Sequence, residues 1–239
     1  MLAFSWVMLS AAARMVHRPG DLAARARWLQ GTSQRLLRVL GVRLLAIGEP
    51  SVGPVIVSNH VSYIDILVLA ASRPVVFVAK REVKDWPIFG WFARQAGTCF
   101  VDRERRGDVA RVAAAFAPAV ASGVGVVIFL EGTSTNGQTV RPFKSSLLAP
   151  VVTQLWPVVP TAISYSLPSG HDVASEVCWW GDMTLTRHLL HLFTLGRIDA
   201  FVASGVAERA AVDRKELALR LHQSVTRLHR GLTDSAAKV

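Results

Sequence analysis

Short apolar runs recur along most of the chain, separated by longer stretches in which polar and apolar residues mix. The runs at 42–47, 54–57, 75–79, 98–101, 124–130 and 158–164 are mostly β-branched and other apolar residues. Such near-continuous runs, rather than strict alternation, predict strands buried on both faces of a sheet. The stretches 64–71, 88–96 and 108–121 between them predict helices. Strands alternating with helices give an α/β fold with a mixed, largely parallel sheet flanked by helices. Another strand is predicted at 198–202, and Asp213 with Glu216 forms a capping-box pattern that opens a last helix running toward Leu232. Residues 235–239 are expected to fray.

The first forty residues have a different texture. From Leu2 to Ala13 there is no charge, but the run is shorter than the ~20 residues that cross a bilayer. It lacks the leading positive charge and the small-residue cleavage site of a signal peptide. Asp21 is a plausible N-cap for a helix over 21–40, where Trp28, Leu29, Leu36 and Leu37 alternate with Arg25, Arg27, Arg35 and Arg38. Two such segments predict a membrane-associated helical pair at 1–40, lying in the headgroup region ahead of a single domain at 41–239. The alternative is that both helices simply cap the core.

Composition sharpens this picture. Of 239 residues, 51% are hydrophobic and only 18% charged, yet the formal net charge is +10, which implies an anionic partner. Positive charge and apolar excess together favour a lipid surface over nucleic acid. No nucleic-acid-binding motif is present, and no aromatics interleave with the basic loop at 103–106. The expected location is peripheral or monotopic, on the cytoplasmic face of a membrane. Cys99 and Cys178 lie far apart without a CxxC or Cys/His companion, so core cysteines are expected rather than a disulfide framework or zinc site. His188 and His191 lack an acidic companion that would suggest a metal, and no metal site is predicted. Trp179, Trp180 and the segment 188–193 suit either a membrane interface or core packing.

Three segments carry candidate chemistry. Asn59, His60, Ser62 and Asp65 follow directly on the strand that ends at Val57, where open α/β sheets build their sites. An aspartate one turn into the next helix can reach back to one imidazole nitrogen, fixing the tautomer and leaving the other nitrogen to take a proton. Equally, Ser62 and Asp65 have capping-box spacing, and the carboxylate would then serve only backbone amides. Arg103, Arg105 and Arg106 form a basic loop after the strand at 98–101, either a phosphate clamp or a solvated charge run. Glu131, Gly132 and Thr133 end another apolar strand, where glycine permits close approach of a ligand, although a surface turn would look similar.

In order and spacing, these segments resemble the 1-acylglycerol-3-phosphate acyltransferase family and its lysophospholipid acyltransferase relatives. The family blocks NHxSxxD, GxxFxxR, FPEGT and a late VP are matched by Asn59 to Asp65, Gly97 to Arg103, Phe129 to Thr133, and Val159 with Pro160. The resemblance covers about Val42 to Tyr165. It implies acyl transfer from a thioester, acyl-CoA or acyl carrier protein, to the hydroxyl of a lysolipid, with no other cofactor. His60 would be the general base and Asp65 its support, with Asn59, Phe100, Arg103, Glu131, Gly132 and Thr133 on the substrate-binding side. The leading acceptor is 1-acylglycerol-3-phosphate, giving phosphatidic acid, with Arg103 on its phosphate. Leu130 stands where the family usually has proline, and Ser134 where arginine commonly follows. The second change removes a cationic contact and opens the alternative of another lysolipid, such as lyso-ornithine lipid. A non-catalytic membrane-binding module is the rival outside enzymes.

Overall fold

A computed structural model of the protein describes residues 2–15, 21–48, 53–86, 89–101, 109–209 and 213–236. Among the described residues seven strands form one sheet: β1 (Val42–Ile47), β2 (Val55–Ser58), β3 (Val75–Lys80), β4 (Cys99–Val101), β5 (Gly125–Phe129), β6 (Val158–Ser166) and β7 (Ile198–Ser204). Their order is β1-β7-β6-β2-β5-β3-β4, and every neighbouring pair is parallel except β6 with β7. The sheet is thus mixed and largely parallel. β2 and β5 are buried along their whole length at its centre, as their unbroken apolar runs require.

Helices cover both faces. On one lie α1 (Leu2–Met15), α2 (Leu22–Val39), α3 (Ile64–Ser72) and α8 (Leu185–Leu192), and their core contributions include Leu37, Ile64, Val68 and Leu192, packed against Ile56, Val127 and Ile163 of the strands. On the other, α5 (Val109–Ala121), α6 (Ala149–Thr153) and α9 (Arg214–Ala236) bring Phe116, Val151, Leu217 and Leu221 against Val57, Val126 and Ile128. The remaining helices, α4 (Phe89–Gln95) and α7 (Val173–Glu176), are short, as are 3-10 turns at Arg81–Asp85 and Ser146–Leu148. Asp21 caps α2 by accepting from the Ala23 amide at 2.9 Å, and Asp213 opens α9 by accepting from the Lys215 amide at 2.6 Å.

The two N-terminal helices are joined to each other and to the domain. Trp28 donates its indole N–H to the Ala11 carbonyl at 3.0 Å, and Gln34 reaches the Ala71 carbonyl of α3 at 3.0 Å. Leu36 and Leu37 of α2 are buried, so this helix does cap the core, while α1 leaves Leu2, Trp6 and Leu9 exposed. No helix among the described residues is long and apolar enough to cross a membrane.

Candidate active site

β2 and β5 are register neighbours, with Ser58 opposite Phe129, so the loops that leave their carboxyl ends meet. His60 stands on the first of these loops, its ring stacked on Phe129 with centroids 4.0 Å apart. Its Nδ1 lies 2.8 Å from Oδ2 of Asp65, a carboxylate that is 0% exposed at the start of α3. A carboxylate can only accept, so Nδ1 carries the hydrogen and Nε2 presents its lone pair. No described residue bonds Nε2, and the ring keeps 19% of its side-chain surface exposed. The arrangement can take up a proton at Nε2 and hold the resulting positive charge against Asp65.

The same Oδ2 accepts from the amides of Val61 at 2.7 Å and Ser62 at 3.0 Å, and Oδ1 accepts from the Tyr165 hydroxyl at 2.7 Å. Both sequence readings of Asp65 therefore describe the same oxygen: it reaches back to the Ser62 amide as in a capping box and also holds the imidazole. The box is only half formed, because the buried Ser62 hydroxyl has no hydrogen-bond partner among the described residues.

Glu131 secures the loop from the other side. It is 3% exposed; Oε1 accepts from the His60 amide at 2.7 Å and Oε2 from the Arg141 amide at 2.8 Å. Burial pushes its carboxyl up to about 7, outweighing the two amides and the nearby imidazole that pull it down. Asn59, one residue before His60, clasps β6: its Nδ2 donates to the Ile163 carbonyl at 2.9 Å and its Oδ1 accepts from the Ile163 amide at 2.8 Å. The backbone amide of Thr135 closes the loop onto the His60 carbonyl at 3.0 Å.

Not every residue singled out in the sequence comes to this place. Asn59, His60, Asp65 and Glu131 converge, and Gly132 follows with a φ of 78° that suits glycine. Thr133 is exposed, and Phe100 sits half-buried on β4 at the sheet edge. Arg103, Arg105 and Arg106 lie outside the described residues. Sequence reasoning missed Tyr165, whose strand runs two residues past its predicted end, and it missed the role of His188. The Tyr63 hydroxyl lies 3.0 Å from His188 Nδ1, and Nε2 of that ring lies 3.1 Å from the Cys178 carbonyl. A carbonyl only accepts, so Nε2 donates there and Nδ1 accepts from Tyr63. Trp179 is half-buried, its amide bonded to the Val61 carbonyl at 2.8 Å, whereas Trp180 is exposed.

Against known proteins, a model of the Acyltransferase family matches residues 47–164. The lyso-ornithine lipid O-acyltransferase of Brucella abortus is 36% identical over 206 residues, covering 80% of this chain and 77% of that protein. The 1-acyl-sn-glycerol-3-phosphate acyltransferase of Neisseria meningitidis is 28% identical over 193 residues, covering 76% of this chain and 72% of that protein. Among solved structures, the 1-acyl-sn-glycerophosphate acyltransferase of Thermotoga maritima superposes with a TM-score of 0.69 at 19% identity, over 97% of this chain and 94% of that one, a likeness of fold. The chain belongs to the acyltransferase family that includes the lyso-ornithine lipid and 1-acyl-sn-glycerol-3-phosphate enzymes, and it is an acyltransferase of lysolipids.

Proposed function

We propose that the chain transfers a fatty acyl group from an acyl thioester to the free hydroxyl of a lyso-ornithine lipid, with His60 as general base. The observation that carries the chemistry is the pairing of His60 Nδ1 with the buried Asp65, which leaves Nε2 open. The acceptor hydroxyl gives its proton to Nε2 as its oxygen attacks the thioester carbonyl. The C–O bond forms, the C–S bond breaks, and the proton passes from the imidazolium to the leaving thiolate. Asp65 supports the imidazolium while it exists. No acyl-enzyme is needed, and the cysteines do not invite one: burial pushes the Cys99 thiol up to about 11 and the Cys178 thiol up to about 12.

Two observations favour lyso-ornithine lipid as acceptor. Relatives with that activity in their name reach 36% identity, against 28% for the Neisseria enzyme that takes 1-acylglycerol-3-phosphate. Ser134 also replaces a family arginine, removing a cation that a phosphomonoester would want and an ornithine ammonium would not. The second reading, 1-acylglycerol-3-phosphate giving phosphatidic acid, keeps one argument: Arg103 matches the family's phosphate-contact position. Exposed Leu2, Trp6 and Leu9 on α1 support a chain that lies in the membrane interface, on the cytoplasmic side where acyl thioesters are found.

The test is a competition assay with equal lyso-ornithine lipid and 1-acylglycerol-3-phosphate and one acyl thioester. Preferential acylation of lyso-ornithine lipid, unchanged in Arg103→Ala, is the expected result. Exclusive formation of phosphatidic acid, with KM raised by Arg103→Ala, would replace this acceptor with the second.

A further inference from the structure

The donors to Asp65 divide unequally between its two oxygens. Oδ2 takes the imidazole and two amides of its own loop, whereas Oδ1 takes one donor among the described residues, the Tyr165 hydroxyl. That hydroxyl arrives from β6, a distance of 100 residues along the chain, and its ring is buried. Burial first, then the neighbouring charge of Asp65, holds the phenol well above its ordinary range, so it remains a donor. Its position is not left to chance. The Asn59 clasp grips Ile163, two residues earlier on the same strand, and so registers β6 against the catalytic loop. Tyr165 also lines a cavity of about 380 Å³ shared with Val61, Cys178 and His229, and removing its hydroxyl oxygen adds no atom that could clash.

We propose that Tyr165 is a positioning residue for acyl transfer. Its hydroxyl holds the carboxylate so that Oδ2 meets His60, and by drawing negative charge toward Oδ1 it limits how tightly Asp65 retains a protonated imidazole. The proposal rests on His60 being the base. The other titratable groups that face this pair are Glu131 from the loop after β5 and Cys178 from the segment after α7. Neither donates a hydrogen bond to Oδ1, so neither can replace the phenol there.

The test compares Tyr165→Phe and Tyr165→3-fluorotyrosine with the wild-type full chain. Rates are measured across pH with an acyl thioester and, in separate runs, lyso-ornithine lipid and 1-acylglycerol-3-phosphate. A hydrogen bond to a buried charge is worth enough that Tyr165→Phe should lower kcat by roughly 10-fold or more while KM stays within about twofold. The acid limb of kcat/KM should move up by about half a unit to one unit, because the less satisfied carboxylate grips the imidazolium harder. Fluorotyrosine, nearly the same size and a stronger donor, should move that limb down. A kcat and an acid limb unmoved in both variants would overturn the proposal. So would a rise in KM with a lower unfolding temperature and an unmoved limb, the signature of packing alone. If Tyr165→Phe does not fold, the fluorotyrosine chain decides by itself. His60→Ala turning over like wild type would remove the base and this proposal together, whereas silent Tyr165 variants beside an inactive His60→Ala would remove the proposal alone.

Discussion

Replacing Asp65 by asparagine separates the two duties of its carboxylate. With the amide oxygen placed where Oδ2 now sits, the variant still accepts from Val61, Ser62 and His60 Nδ1. Its NH₂ then faces the Tyr165 hydroxyl, which can rotate to accept instead of donate. The backbone cap survives with charge-assisted bonds turned neutral, a stability loss of about 1–3 kcal/mol. The tautomer survives as well. What disappears is the negative charge 2.8 Å from the ring, for which Coulomb's law at an effective dielectric of ~20 gives roughly 6 kcal/mol against a full imidazolium. With about half a proton transferred in the transition state, roughly 3 kcal/mol is lost, or about two orders of magnitude in rate. The assay is initial-rate acylation of a lysolipid, paired with urea unfolding of the same preparation. A rate within about threefold of wild type alongside a lower unfolding midpoint would refute this reasoning and leave Asp65 as a cap only.

His60→Ala should lower transfer by ~10²–10⁴-fold with the unfolding midpoint little changed, since Asp65 and Glu131 keep their amide bonds to the loop; turnover near wild type would end the proposed mechanism. Glu131 predicts a pH effect on stability. Its folded carboxyl is raised to about 7, so its contribution is present below the unfolded value near 4.5 and is lost as pH rises through 7, on the order of 3 kcal/mol. Urea titrations should show that decline in wild type and not in Glu131→Gln, and parallel pH curves would contradict it. Anionic vesicles should retain part of the protein at high salt and lose it all to detergent, because the exposed apolar residues of α1 add a salt-insensitive component; complete release by salt alone would argue against insertion of α1.

Elements with a single strong local signal were legible. The strands centred on Val57, Val76 and Ile128 declared themselves because both of their faces are buried, and α2 and α9 through their capping aspartates. The order of strands was not legible, nor was the antiparallel approach of β7 to β6, because pairing depends on partners far away in sequence. The short helices α6 and α7 have too few turns to show a period. At the site, the five-residue spacing of His60 and Asp65 allowed a pair but left it level with a capping role for the carboxylate, and the geometry has both. The amide of Asn59 grips Ile163 across 104 residues, and the Tyr165 hydroxyl comes from still further along β6, so neither contact had a local trace. Glu131 was singled out beside the substrate, but its carboxylate oxygens are occupied by backbone amides, which a motif cannot reveal.

His60 is held by two different acids at two different points. Glu131 grips its main-chain amide, and Asp65 grips its ring. Glu131 therefore bears on the placement of the loop, whereas Asp65 bears on both the loop and the imidazole, and substitutions at the two should respond to separate selections. Activity screened at two temperatures would sort them: substitutions at Glu131 should yield heat-sensitive enzymes that work in the cold, while those at Asp65 should be impaired at both. A designer seeking a cold-adapted or a heat-tolerant version has at Glu131 a handle on the loop that leaves the bond between Asp65 and the ring in place.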